Sequence, residues 1–531
     1  MHHDFVLKQR DRFSLELKLR HILDGESRKT GRYDADIYLF LPQSFHISEE
    51  TYPRSTFYQD LKLYLRFNTP RFSPLELTDP ASTASPLARL EHMAKTGTPS
   101  QGEAFARRFD YECRMIGSIY KSTLRDAVRE LSRLLDQEEC SSARIHRTIE
   151  EVEEVPRRVH ALARRVTQEI TAQELIDEVQ LTDEHVSLLF ERYLLSLLHI
   201  VGSRAQGGSK EAEDHTIEAA IKREIAYRTE AGYPSVPTSH DEAHLEQYVY
   251  REKMLKRFAS QVLFLNAKTS DEAKRTEHVL YAVAAGIAMV FATAVAFYGQ
   301  SVYGNLTITF FVLLVASYML KDRIKEFFKD FFAGYIGRSF YDRRTGLYDT
   351  RRKRKLGVVR ERAHYKTGST IPGIVRRARD RGSFERQVAG EDGETVFVYN
   401  KRVSLRSARL HKYHRRIEGL ADISVLELRR FMEYLAVQHG TLPEVDESGS
   451  VTPRRVPRMY HLNIVLHLRS REGEEVHRFR AVVNAKGIHR VEAVTDTVSP
   501  MHVGGRTSYI GGDTALAQSY SGNGETNGDS K

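Results

Sequence analysis

The amino-acid sequence predicts a mainly α membrane protein: a two-helix transmembrane hairpin, a cytosolic helical bundle before it, and a small α+β antiparallel-sheet domain after it. Three observations carry the prediction. Residues 279–298 and 303–320 form two uncharged apolar segments joined by Gly299-Gln300-Ser301-Val302. The first is close to the roughly 20 residues that cross a ~30 Å hydrocarbon core, and the second sits at the lower end of that range. Residues 103–270 carry apolar side chains at three- and four-residue steps, the period of a helix with one buried face. Residues 460–494 alternate apolar and polar in short runs separated by turn residues, the period of a half-buried strand.

Taken in order, residues 1–100 read as a mixed α/β segment with a β-hairpin. Phe13, Leu15, Leu17 and Leu19 alternate with polar residues, and Ile37, Leu39 and Leu41 repeat the pattern after a turn-rich stretch. Residues 56–67 fit both periods, and the following Pro70 favours a helix. Residues 69–86 read as a loop. In the bundle, one helix carries Phe109, Ile116, Tyr120, Leu124 and Leu131. The next has a coiled-coil-like seam through Ile145, Val152, Val159 and Val166, kinked at Pro156, and pairs with the first as an antiparallel partner. Residues 182–201 are the buried core helix, despite Glu191 and Arg192 in its middle. After a loop at 202–210, helices at 212–231 and 239–266 lead to the membrane.

The first apolar segment has a small-residue stripe, Ala284, Ala288, Ala292 and Ala296, that admits close helix packing, against the second segment or against another copy in a homo-oligomer. Neither segment holds an ionisable residue, which argues against transport. Lys268, Lys274 and Arg275 precede the pair, and Lys321, Arg323, Lys325 and Lys329 follow it. Basic flanks on both sides place both long flanks in the cytoplasm. The N-terminus has no basic region followed by an apolar run, and two cysteines, Cys113 and Cys140, suit a reducing compartment. The expected location is the plasma (inner) membrane, with two passes.

Residues 321–332 read as an amphipathic juxtamembrane helix. Ile324, Phe327, Phe328, Phe331 and Phe332 share one stripe, suited to the membrane interface or to packing on the bundle. The chain's formal charge of +9 is concentrated in residues 338–386, where 16 Lys and Arg face 5 Asp and Glu. This basic segment, densest at Arg351, Arg352, Lys353, Arg354 and Lys355, is expected to contact anionic lipid or phosphate unless it is only a solvated linker. Residues 387–498 form the α+β domain: a strand at Val396 and Val398, a helix over 425–438 capped by Ser424 and Glu427, and strands at 460–468, 476–484 and 488–494. The Gly- and Ser-rich tail, 499–531, is expected to be disordered.

No catalytic motif survives inspection, and no cofactor or metal is expected. His240 and His244 lack the spacing of a zinc helix, Gly202 to Lys210 does not end as a phosphate loop, and His411 and His414 lie in a basic solvated run. The expectation is a non-enzymatic membrane-anchored cytosolic scaffold or interaction protein, with the lipid bilayer and cytosolic proteins as partners. The alternatives are a membrane-associated nucleic-acid-binding protein, in which Tyr341, Tyr348 and Tyr365 stack on bases, and an enzyme whose site is assembled from distant residues.

Overall fold

Alternating segments at the two ends of the chain become strands of the same sheets. The computed structural model describes residues 4–22, 31–96, 102–137, 141–204, 210–235, 242–304, 307–339, 341–350, 354–366, 370–380, 394–406, 410, 416–417, 419–435, 439–445, 449–470 and 473–494. In chain order these form β1 (Asp4–Gln9), β2 (Ser14–Ile22), β3 (Gly31–Pro42), α1 (Arg54–Asp60), β4 (Leu61–Phe67), α2 (Pro74–Thr78), α3 (Pro86–Thr96), α4 (Gly102–Asp136), α5 (Ser142–Glu169), α6 (Gln173–Arg204), α7 (Lys210–Glu230) and α8 (Glu242–Ser260). There follow β5 (Asn266–Asp271), α9 (Glu272–Tyr303), α10 (Ile308–Ser339), β6 (Arg343–Tyr348), β7 (Lys355–Lys366), α11 (Gly373–Asp380), β8 (Glu394–Leu405), β9 (Gly419–Glu427), α12 (Arg429–Met432), β10 (His439–Val445), β11 (Val451–Pro457), β12 (Tyr460–Ser470), β13 (Glu474–Asn484) and β14 (Gly487–Ala493). The fold is mixed, 55% helical and 30% strand with large antiparallel sheets, which overturns the mainly α class expected from sequence.

Two compact units emerge, one from Met1–Leu65, Leu265–Tyr413 and Ala421–Met501, the other from Arg66–Phe264 with His414–Leu420. The first is organised by an eight-stranded sheet of order β14-β13-β12-β3-β8-β7-β6-β5, antiparallel throughout. The odd-numbered positions of β3 and β8 and the even-numbered positions of β12 point to one face. Ala35, Leu39, Phe397, Tyr399, Val403, Ile464 and Leu466 are all buried there, and a four-stranded sheet of order β1-β2-β9-β4 meets that face. Asp422 of β9 accepts hydrogen bonds from Tyr33 (2.8 Å) and Lys401 (2.8 Å), and Lys401 also donates to Ser424 (2.7 Å). On the opposite face, α11 covers Tyr38, Phe40, Val396, Val398 and Val465 with Ile371 and Val375.

Several local expectations change for the same reason, namely that pairing partners lie far apart in sequence. The strands at 13–20 and 37–41 form, but not as one hairpin: β2 joins β1 and β9, whereas β3 joins β12 and β8. Residues 56–67 use both of their periods in turn, helix through Asp60 and strand from Leu61. The loop expected at 69–86 contains α2, opened by a capping box between Ser73 and Glu76. The helix expected over 425–438 is instead the end of β9 followed by the single-turn α12. The basic segment is no linker, since β6, β7 and α11 are built from it.

In the second unit α6 packs against α4, α5, α7 and α8, as expected of the most apolar helix of the bundle. Both α4 and α5 pack chiefly on it rather than on each other. Glu191, in the middle of α6, is buried with Arg228, its Oε2 lying 3.5 Å from the guanidinium Nε, while Arg192 turns outward to Glu252.

Between β5 and β6 the chain leaves the large sheet as α9 and returns as α10, and Asp271 pairs with Arg343 where it leaves and returns. Each helix has 32 residues, about 48 Å of rise. The sequence reading of two membrane passes is corrected here. Among the described residues one helix is long and apolar enough to cross a membrane, over His278–Tyr303. Tyr303 belongs to α9, which Gly304 ends at φ 70°, and α10 starts only at Ile308. The apolar part of α10 before Lys321 is therefore about 13 residues, roughly 20 Å long and short of a ~30 Å core. A transmembrane hairpin integral to the plasma (inner) membrane is not supported.

Candidate functional site

The first surface of note is that of the α9–α10 pair. An apolar helix in water is normally buried, yet Val290 (70% exposed), Phe297 (68%), Ile308 (83%) and Phe311 (66%) are open to solvent, with Val279, Met289, Val312 and Met319 beside them. Only the side of α9 turned toward α10 is covered. Ala284 and Ala288 are buried, and Ala292 and Ala296 are half-buried, so the small-residue stripe lies along the contact between the two helices. Ser317 donates to the Ala292 carbonyl at 3.5 Å. Gly299 faces Leu313 and Phe310 so closely that a Cβ there would lie 2.6 Å from Leu313 Cδ2. Contiguous apolar surface on this scale is rare on soluble monomers and marks a surface meant to be covered.

Beyond Leu320 the character of α10 changes. Phe327 and Phe331 are exposed, and Ile324, Phe328 and Phe332 are half-buried, so the expected phenylalanine stripe is divided between solvent and packing. Charges alternate with it. Lys321 sits over the Tyr318 ring at 3.9 Å and Lys329 over the Tyr281 ring of α9 at 5.2 Å, each a cation–π contact that holds an ammonium beside the apolar stretch.

The second surface is the polar half of the sheet face that α11 leaves uncovered. Strand register sets Arg344 of β6 opposite Arg360 of β7, Arg360 opposite Arg402 of β8, Arg402 opposite Asp34 of β3, and Asp34 opposite Arg469 of β12. Neighbouring strands are about 4.8 Å apart, and like charges directly opposite cost stability. One row away stand Arg362, Asn400 and Asp36. The carboxylates are tied down: Arg402 donates to both oxygens of Asp34 (2.8 and 3.1 Å), Arg32 adds a third bond at 3.3 Å, and Asp36 accepts from Asn400 (2.6 Å) and from Arg469.

The field of this face is positive. Burial and the neighbouring Arg344, Arg406 and Arg360 push the Lys355 ammonium below its usual range. Burial, then Arg362, Lys366 and Arg54, bring His364 down to about 4. Burial raises the Asp34 carboxyl, but the bonds from Arg402 and Arg32 outweigh it and leave Asp34 below the ordinary carboxylate value. Of the basic cluster singled out in the sequence, Arg354 and Lys355 lie at the start of β7. Arg351, Arg352 and Lys353 lie outside the described residues, as do His240, His411, His414, Cys140, the side chains of Lys274 and Arg275, and the tail.

Sequence reasoning missed the in-register row, although Arg360 and Arg362 alternate with Val359, Glu361 and Ala363. It also missed a buried network in the second unit. His160 Nδ1 lies 2.6 Å from Asp183 Oδ1 and Nε2 lies 3.2 Å from Glu224 Oε1. Tyr227 (2.6 Å) and Tyr233 (2.8 Å) donate to Asp183 Oδ2, and the Tyr227 ring stacks on the imidazole at 3.6 Å. These groups sit in the packing between α5, α6 and α7, where they join helices. Among the described residues no group of three or more His, Cys, Asp or Glu side chains is placed to hold a metal. Set against known protein families, characterised proteins and solved structures, the chain matches none.

Proposed function

We propose that this protein is a membrane-anchored interaction protein that meets a lipid bilayer with the apolar surface around α9. The observation that carries the reading is the solvent-open apolar surface around α9, over the length His278–Tyr303 that suits a hydrocarbon core. The reading involves one crossing-length helix. The shorter apolar run of α10 packs on Ala292 and Gly299 of α9, and the mixed phenylalanine and lysine stretch after Leu320 runs back along the first turns of α9, with Lys329 over Tyr281. A bilayer fits better than a protein partner because the acidic Asp322, Glu326, Asp330 and Asp342 are outnumbered, between Leu320 and the start of β6, by the basic Lys321, Arg323, Lys325, Lys329, Arg343 and Arg344. Each basic group is worth on the order of 1 kcal/mol against an anionic leaflet.

Flotation of the full chain with phosphatidylcholine vesicles, with and without phosphatidylglycerol, tests the reading across a salt series. The protein is expected to float with both and to bind more tightly with phosphatidylglycerol at low salt. Failure to float with either, together with tight binding of single-stranded nucleic acid at physiological salt, would replace the bilayer with nucleic acid as the partner of the arginine face.

A further inference from the structure

The polar half of the sheet face lines a half-open cavity of about 300 Å³, the low end of the range for small-ligand sites. Its floor is Asp34 and Asp36 of β3 with Asn400 and Arg402 of β8, and its sides are Arg362 of β7 and Arg469 of β12. Tyr341, in the short link between α10 and β6, closes one end, its ring 5.4 Å from the Arg402 guanidinium. Lys401 borders the cavity, but its ammonium is turned through the sheet to Asp422. The cavity therefore sits at the root of the helix pair, and three guanidinium groups reach it from three different strands.

The chemistry of the lining narrows the ligand. Both oxygens of Asp34 and both of Asp36 are engaged by donors belonging to the site, so the carboxylates orient Arg402 and Arg469 and do not offer a cation seat. A planar carboxylate is satisfied by one guanidinium fork. Guanidinium groups contributed side by side from three strands, with Tyr341 beside them, suit the more numerous oxygens of a tetrahedral oxyanion. The volume leaves room for a small organic group attached to it. We infer that this cavity binds the phosphate group of a small phosphate ester, held by Arg362, Arg402 and Arg469 with Tyr341 at its edge. A glycerophospholipid headgroup is the source the location favours, because the cavity adjoins the root of the pair. That choice of source rests on the bilayer reading above, whereas the phosphate site rests on the cavity alone.

Equilibrium dialysis of the full chain with inorganic phosphate and with glycerol 3-phosphate tests the site, and vesicle flotation tests the source. Arg362→Gln and Arg469→Gln are each expected to weaken glycerol 3-phosphate binding about tenfold, the effect of one charge-assisted contact. Tyr341→Phe, which keeps every charge, is expected to weaken it several-fold without changing the thermal midpoint. Glycerol 3-phosphate should also compete for the phosphatidylglycerol-dependent part of flotation. The inference is overturned if neither phosphate compound binds and phosphatidylglycerol-dependent flotation is unchanged in both arginine variants, or if the compounds bind equally to wild type and all three variants. Arginine-dependent binding of glycerol 3-phosphate without competition for vesicles would keep the site and assign it a soluble phosphate ester. Absence of flotation with any vesicle would remove the bilayer reading, and dialysis would still decide the cavity.

Discussion

Lys401 and Asp422 form an ion pair with both side chains essentially inaccessible, at 2.8 Å between the two sheets of the first unit. A buried pair contributes little net stability over an apolar substitute, but breaking one half leaves an uncompensated charge that costs about 3–5 kcal/mol. Asp422→Ala is thus expected to lower unfolding free energy by roughly that amount in a denaturant titration, whereas the double change Lys401→Met with Asp422→Leu should recover most of the loss. His160 makes a second residue-scale prediction. Burial alone would lower its pKa, but Asp183 and Glu224 outweigh burial and raise it. A raised folded-state pKa adds stability that is complete below the unfolded value of about 6.5 and is lost as pH rises through the folded value. The midpoint of urea unfolding should therefore fall as pH increases from mildly acidic to alkaline, and His160→Gln should flatten that slope. Neither pair was legible in the sequence: Lys401 stands in an unremarkable alternating strand, and His160 is one of many polar residues along a helical seam.

At the scale of elements, local period succeeded wherever one segment supplies its own pattern, as in the buried seam of α5, the apolar α6 and the alternation in β12. It failed where the partner is remote. The arginine-rich residues of β6 and β7 read as a basic segment without strands because half of each strand faces the polar side of the sheet, and the burial of Thr345, Val359, Glu361 and Ala363 is set by strands elsewhere in the chain. The end of the first apolar helix was also misplaced, since Gly299 stays helical against Leu313 and the turn comes only at Gly304. Two substitutions separate packing within the helix pair from its exposed surface. Ala288→Leu overfills the contact with α10 and is expected to cost about 1–3 kcal/mol of stability. Val290→Asp leaves that contact intact and is expected to cost about 3 kcal/mol of membrane partitioning, roughly a hundredfold in vesicle affinity, with little change in the thermal midpoint.

For the whole molecule, the large sheet gathers strands from both ends of the chain and carries two features side by side, the apolar helix pair and the arginine-lined cavity at its root. The apolar surface was visible in the sequence from charge-free length alone, whereas the cavity required the register of four strands. The central claim, that the exposed apolar surface around α9 meets a bilayer, is tested most directly by an environment-sensitive fluorophore at Phe311→Cys in a Cys140→Ser background of the full chain. The account predicts a blue shift on adding phosphatidylglycerol-containing vesicles and quenching by lipids labelled in the acyl chain, with neither response from the same probe at Arg376→Cys. An unchanged spectrum at Phe311 in the presence of vesicles would contradict it.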